Sequence, residues 1–370
     1  MNRYSLCLLW FWLCIPATAL SAQVQRDEAK TLIVTTWGGA YEAAQRQAYF
    51  APFAQEAGVE VRLKAYNGSV DPLRRSGPSG GGEWDVLDMT EPDALAACAE
   101  GLLAPFDPRS LRPAPDGTPA RKDFLSGAFL DCGVVHLVYA TVLAYDDRAF
   151  PGEKPRTVAD FFDLQRFPGK RALRRQPIAL LEWALLSYGV PISQLYDLLS
   201  TERGMTLAFR RLDRIRDQIV WWEDGSEPVK LLERREVVMA SGFNGRFFNA
   251  RVNDDIPVTI IWDGQFLDMS VWAIAKDSPS RTLAESFIGF ATRAENMAAF
   301  AHLIPYGPTR RSAIARIGLH ARSNVPMLLH MPTAPLNLRR AIRSDSLWYA
   351  RTEAVRQRWF RNWLAQDKGS

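Results

Sequence analysis

The chain has 370 residues, 47% of them hydrophobic, which is enough for two domains and a sizeable buried core. Lys and Arg number 45 against 41 Asp and Glu, a net charge of +4 that is mixed along the sequence rather than massed. So mild a balance gives no reason to expect a nucleic-acid partner.

Residues 1–22 read as a secretory signal peptide. Arg3 is their only charge, Leu6–Ile15 is apolar, and Pro16 leads into Ala17-Thr18-Ala19-Leu20-Ser21-Ala22. The apolar run is shorter than the roughly 20 residues a bilayer-spanning helix needs, and no later segment is long and apolar enough to span; a membrane anchor is the alternative reading. Trp12 and Leu13 are too bulky for a lipoprotein signal at Cys14. Export predicts a periplasmic protein. Cleavage near Ala22 leaves Cys98 and Cys132 as candidates for a disulfide in an oxidising compartment, with two free buried thiols as the alternative. There is no CxxC, so neither a zinc ribbon nor a redox motif is supported.

Leu32-Ile33-Val34-Thr35-Thr36 is β-branched and predicts a first strand, broken by Trp37-Gly38-Gly39. Ala44, Ala48, Phe50 and Phe53 follow at near-helical spacing until Gly58, and Val59–Ala65 alternates as a second strand. This βαβ order predicts a parallel pair. A glycine-rich loop spans Ser76–Gly82, Trp84–Met89 is a third strand, and Glu91-Pro92 opens a helix. After the proline-rich Pro105–Pro119, the long apolar run Val134–Tyr145 is expected to cross from a first lobe into a second. Helices are then predicted near Val158–Leu164, Ile178–Tyr188, Gly204–Asp217 and Pro228–Arg235. Strands are predicted at Ile219–Trp222, Val237–Ala240, Val258–Trp262 and Ser270–Ala275. Leu283–Ile317 and Leu347–Leu364 read as helical. The fold class is α/β, two-lobed, each lobe a mixed and mostly parallel sheet flanked by helices, joined by two crossing segments.

There is no GxxxxGK[ST] loop, no HExxH and no GxSxG elbow, and none of the four histidines sits at ligand spacing to another His or a Cys. No nucleophilic or metal constellation assembles, so no cofactor, no metal and no enzyme activity are expected. Aromatic and acidic residues gather instead where strands end, and open parallel sheets bind ligands at the carboxyl ends of their strands. Trp37 and Gly38 follow the first strand, Glu91 the third, Trp222 and Ser226 a second-lobe strand, and Asn244 and Arg246 the next; Asp268 lies near the last crossing strand. Indole faces and carboxylates suit an organic ammonium ion. Each residue also has a plain structural role open to it: Trp37 as core, one of Trp221 and Trp222 as buried, Glu91 as a helix-start acid, Asn244-Gly245-Arg246 as a turn, and Asp263-Gly264 as a turn. The arginines from Arg339 to Arg361 lie mostly off the face made by Trp348, Thr352, Val355 and Trp359, a docked helix with a solvated side.

Thr36-Trp37-Gly38-Gly39-Ala40-Tyr41, Cys98-Ala99-Glu100-Gly101-Leu102-Leu103, Trp222 to Val229, Val238 to Arg246, Asp268 to Ile274 and Tyr306-Gly307-Pro308-Thr309 occur in one order. Over Thr31–Ile317 the chain thereby resembles the spermidine/putrescine-type periplasmic binding proteins of ABC importers. The resemblance implies two lobes hinged around a trapped solute, one at residues 30–138 with 270–325 and the other at 139–269, with a C-terminal helical segment at 326–370. It implies a monomer that serves permease subunits in the inner membrane, with Trp37, Glu91, Trp222 or Ser226, and Asp268 around the cleft. Polyamine is the leading ligand. Gly38-Gly39 departs from the polar or acidic pair of polyamine-binding members and is similar to relatives taking opines or other amine-bearing solutes, and the family's last acid falls between Asp268 and Ser270. An opine or amino-acid derivative is therefore the alternative.

Overall fold

A computed structural model describes residues 30–66, 68–76 and 84–366; the leader predicted at residues 1–22 lies outside them. Eleven strands form one sheet among the described residues: β1 Thr31–Thr36, β2 Glu60–Ala65, β3 Val86–Thr90, β4 Phe129–Leu130, β5 Gly133–Asp146, β6 Arg171–Arg174, β7 Ile219–Trp222, β8 Met239–Phe243, β9 Val258–Ile274, β10 Gly307–Pro308 and β11 Ile342–Arg343. The main order is β2-β1-β3-β9-β5-β8-β6-β7, with the short β4 and β10 on β5 and β11 on β9. At one end β1 pairs in parallel with β2 and β3; at the other β6 pairs in parallel with β7 and β8. The antiparallel pair of β5 and β9 joins the two parallel sets.

That pair explains why the two expected sheets are continuous. β5 is fourteen residues long and buried along nearly its whole length, because helices cover both faces. The expected break at Asp263-Gly264 is a bulge inside a single strand: β9 runs on to Ile274, and its register against β5 jumps between Ile261 and Phe266. Gly264 has φ +66°, and a Cβ there would lie 2.3 Å from Cγ2 of Val158, so the bulge needs glycine. Its carbonyl accepts from Trp183 Nε1 at 2.7 Å, and Asp263 accepts from the Val158 amide at 2.9 Å. Asp263 thus anchors the structure.

Two large apolar cores follow from this layout. One gathers residues of 32–137 and 271–313, with Trp272, Phe287, Phe53 and Tyr49 at its centre. The other gathers residues of 143–266 around Trp183, Phe161 and Phe209. The C-terminal helix Ser346–Ala365 packs on this second core through Trp348, Tyr349, Phe360 and Trp363. Cys98 and Cys132 form a disulfide, their Cα atoms 5.8 Å apart, which ties the helix Glu91–Ala99 to the start of β5.

Candidate functional site

The carboxyl ends of β1, β3, β6 and β8 open onto a cleft between the two cores, and its parts follow from local sequence. β1 ends at Thr36, and Trp37 leans edge-on against Tyr66 with ring centres 5.0 Å apart. Gly38 and Gly39 both have positive φ, +66° and +59°. The turn they make leaves the carbonyls of Trp37 and Gly38 facing the opposite core, where Arg246 Nη2 donates to them at 2.8 and 3.2 Å. A Cβ on Gly39 would sit 2.3 Å from Arg246 Nη1. The glycine pair is the recess into which this guanidinium fits.

Arg174 closes β6 and has a different surrounding. Its guanidinium lies over Trp222 and Phe243, 5.7 and 5.6 Å from their ring centres. Among the described residues its side chain makes no hydrogen bond or ion pair, and its Nε is buried without a partner. Burial pulls the guanidinium below its ordinary pKa, while the charges of Tyr139, Asp93 and Asp268 pull it back. An arginine stays protonated in such a setting, so the cleft carries a cation with no carboxylate in direct contact.

Arg174, Arg246, Trp37, Tyr139, Phe243 and Tyr306 line an inner chamber. Trp37, Tyr139 and Arg174 also border an outer chamber, which adds Asp93, Asp268 and residues of the C-terminal helix. Asp268 is buried; its Oδ1 accepts from the Met269 amide at 2.8 Å and its Oδ2 from Tyr139 Oη at 3.3 Å. Burial first, and then the charges of Glu91 and Asp93, push its carboxyl up to about 7. Asp93 accepts from Tyr66 Oη at 3.3 Å. Burial raises its pKa and Glu353 adds to this, against the hydrogen bonds of Thr90 and Tyr66 and the charge of Arg174. Both Arg174 and Arg246 thus line the inner chamber, and the carboxylates line the outer one, which Arg174 shares.

Of the residues singled out in the sequence, Trp37, Gly38, Arg246 and Asp268 meet at this cleft. Four others do not line either chamber. Glu91 accepts from Ser346 Oγ of the C-terminal helix and borders a separate cavity behind β5 and β9, which Asp268 also touches. Trp222 is fully buried, donates from Nε1 to Ser241 Oγ at 3.1 Å, and supports Arg174 from behind. Ser226 donates to Asp224 beside it. Asn244 spans structure: its Oδ1 accepts from the Ala140 amide at 3.0 Å and its Nδ2 donates to the Pro305 carbonyl at 2.8 Å. Trp221 packs on Phe360 and Trp363, so alternation in β7 sends neither indole into the cleft.

Sequence reasoning passed over Arg174, Tyr139, Asp93 and the outer wall. β6 is four residues long, too short for alternation to register. Its two arginines look alike in sequence, yet Arg171 is consumed by the carbonyls of Phe161, Gly169 and Phe167 while Arg174 is left free. Asp93, two residues past Glu91 at the start of a helix, was the available signal.

A profile described as Bacterial extracellular solute-binding protein matches residues 48–326, and the chain belongs to this family. Its members capture a small solute and deliver it to the permease of an ABC transporter. The Gamma-aminobutyric acid-binding protein of Pseudomonas aeruginosa is 37% identical over 351 residues, covering 95% of this chain and 94% of that protein. Among solved structures, the binding protein MotA of A. tumefaciens B6 in complex with glucopine has a TM-score of 0.80 at 26% identity, over 90% of this chain and 99% of that one. The Atu4243-GABA receptor shares the fold, with a TM-score of 0.75 at 24% identity over 92% and 99% of the two chains.

Proposed function

We propose that this protein is the periplasmic binding component of an ABC importer for a small ω-amino acid of the γ-aminobutyrate type. The carrying observation is Arg174, a cation set on two aromatic rings with no carboxylate in contact among the described residues. A ligand carboxylate supplies the missing anion, and a hydrogen bond to a charged group is worth about 1.5–3 kcal/mol net. The ligand ammonium then falls on the outer side, against Asp268 and Asp93, with Trp37 and Tyr139 along the connecting carbons. A polyamine satisfies the carboxylates but brings two guanidinium groups nothing, so the zwitterion is the better complement. The curated relative named for γ-aminobutyric acid supports the same reading.

An opine is the second reading. The outer chamber leaves room for a larger substituent on the amine, and one solved neighbour holds glucopine. In either case the two halves close on the solute by flexing β5 and β9, and Arg246 bridges to the Trp37 and Gly38 carbonyls in the closed form. The working molecule is a monomer, exported behind the leader at residues 1–22 and docking on inner-membrane permease subunits.

Isothermal titration with γ-aminobutyrate, putrescine, butyrate and an opine tests the proposal. The expected result is γ-aminobutyrate binding at least about 100-fold tighter than putrescine or butyrate, the effect of roughly 2.7 kcal/mol. Putrescine binding as tightly as γ-aminobutyrate overturns it, and an opine binding tighter than either selects the second reading.

A further inference from the structure

The outer chamber offers more than a single ammonium uses. Its space, the open mouth included, is about 750 Å³ against about 410 Å³ for the inner one. Its near side carries Asp93 and Asp268, its far side Glu353 and Gln357 of the C-terminal helix, and Gln176 sits just beyond β6. Among the described residues the side chains of Glu353, Gln357 and Gln176 make no hydrogen bond or ion pair. The one guanidinium of that helix that lines the chamber, Arg356, is already spent: it donates to the Tyr349 carbonyl at 2.8 Å and to Thr352 Oγ1 at 3.0 Å and stacks over Tyr349. Three carboxyl-bearing and two amide-bearing side chains therefore line one space from four chain segments. Such a wall complements a head group with many N–H donors fanned in a plane.

We infer that the outer chamber is a subsite for the distal head of an ω-guanidino acid, a ligand with a carboxylate at one end and a guanidinium at the other. Resting on the reading above, the carboxylate keeps its place at Arg174. The guanidinium, longer and with five N–H donors, reaches past Asp268 to Glu353 and the two glutamines. A primary ammonium has three donors and ends at Asp268. Glu353 and Gln357 lie beyond residue 326, where the family profile ends, while Gln176 lies within it.

The test is isothermal titration and competition with 4-guanidinobutyrate and γ-aminobutyrate, using the exported chain and its Glu353→Gln and Gln357→Leu variants. Glu353 is exposed on the helix, so its replacement leaves the fold intact, and a thermal melt checks this. The expected outcome is that 4-guanidinobutyrate displaces γ-aminobutyrate, that Glu353→Gln weakens it about 10-fold as for loss of a charge-assisted hydrogen bond, and that γ-aminobutyrate affinity stays within about two-fold. γ-Aminobutyrate binding without any binding of 4-guanidinobutyrate overturns the inference, as does an equal loss for both ligands in Glu353→Gln. Failure of both ligands to bind the unaltered protein overturns the ω-amino acid reading instead.

Discussion

On the proposed function, Arg174 holds a cost that the ligand removes. A guanidinium kept from water without an anion destabilises the empty protein, and stacking on Trp222 and Phe243 offsets part of that. Arg174→Met keeps the stem's packing and removes the charge. It should weaken γ-aminobutyrate binding by about 2–5 kcal/mol, as for truncating one partner of a desolvated charge pair, while the ligand-free melting temperature stays level or rises. A fall in ligand-free stability with affinity retained assigns Arg174 to the scaffold. Asp268 adds a pH dependence. Its folded-state pKa, about 7, lies above the ordinary carboxyl value of 3.8, chiefly through burial. Its stabilising contribution is present below the unfolded value and is lost as pH rises through 7, where the carboxylate becomes charged and a ligand ammonium restores the balance. The thermal shift given by γ-aminobutyrate should therefore be larger at pH 8 than at pH 6, and Asp268→Asn should flatten that difference. At this scale the sequence was legible where a residue's neighbours in the chain announce it. Trp37 and Gly38 stand out in the sequence because a strand visibly stops there. Arg174 was not, because what distinguishes it from Arg171 is which carbonyls the fold brings near, and those come from residues 161–169.

Among the elements, the turn after β1 and the helix after β8 are fitted to each other across the cleft. The departure at Gly38-Gly39 has a physical cause in this pairing: the positive φ values turn two carbonyls outward, and the bare Cα of Gly39 leaves room for Arg246. Gly39→Ala sets a methyl 2.3 Å from Nη1 and strains the turn as well. It should break the bridge and raise the ligand dissociation rate about 10-fold or more, measured by stopped-flow fluorescence of Trp37. An unchanged rate shows that the bridge does not hold the cleft closed. The crossing strand β5 was legible end to end from its apolar run, since burial on both faces leaves a continuous hydrophobic signature. β9 was read as two strands, because Asp263-Gly264 has the composition of a turn. What the pattern did not carry is that Val158 and Trp183, about a hundred residues earlier in the chain, hold those two residues inside a bulge.

For the whole molecule, the disulfide secures one end of the sheet. With a sequence separation of 34 between Cys98 and Cys132, the loop-entropy account gives about 3–4 kcal/mol. Reduction should lower the melting temperature by several degrees and leave ligand affinity near its oxidised value, since neither cysteine lines a chamber; equal melting with and without reductant removes this role. The two-lobed α/β architecture was readable from strand and helix order together with the family resemblance. The placing of the C-terminal segment was not, because its tryptophans specify an apolar surface without saying whose. Its helix fills out the second core and forms the outer wall of the cleft. The ladder shared by β5 and β9 has one more consequence. On the proposed closure, a clamshell whose leaves are cut from a single plate opens by bending that plate, and the irregular pairings near Val135–Leu137 and Thr141–Leu143 are where it would bend. Under that reading, handing cargo to the transporter means flexing a continuous ladder and not merely parting two bodies.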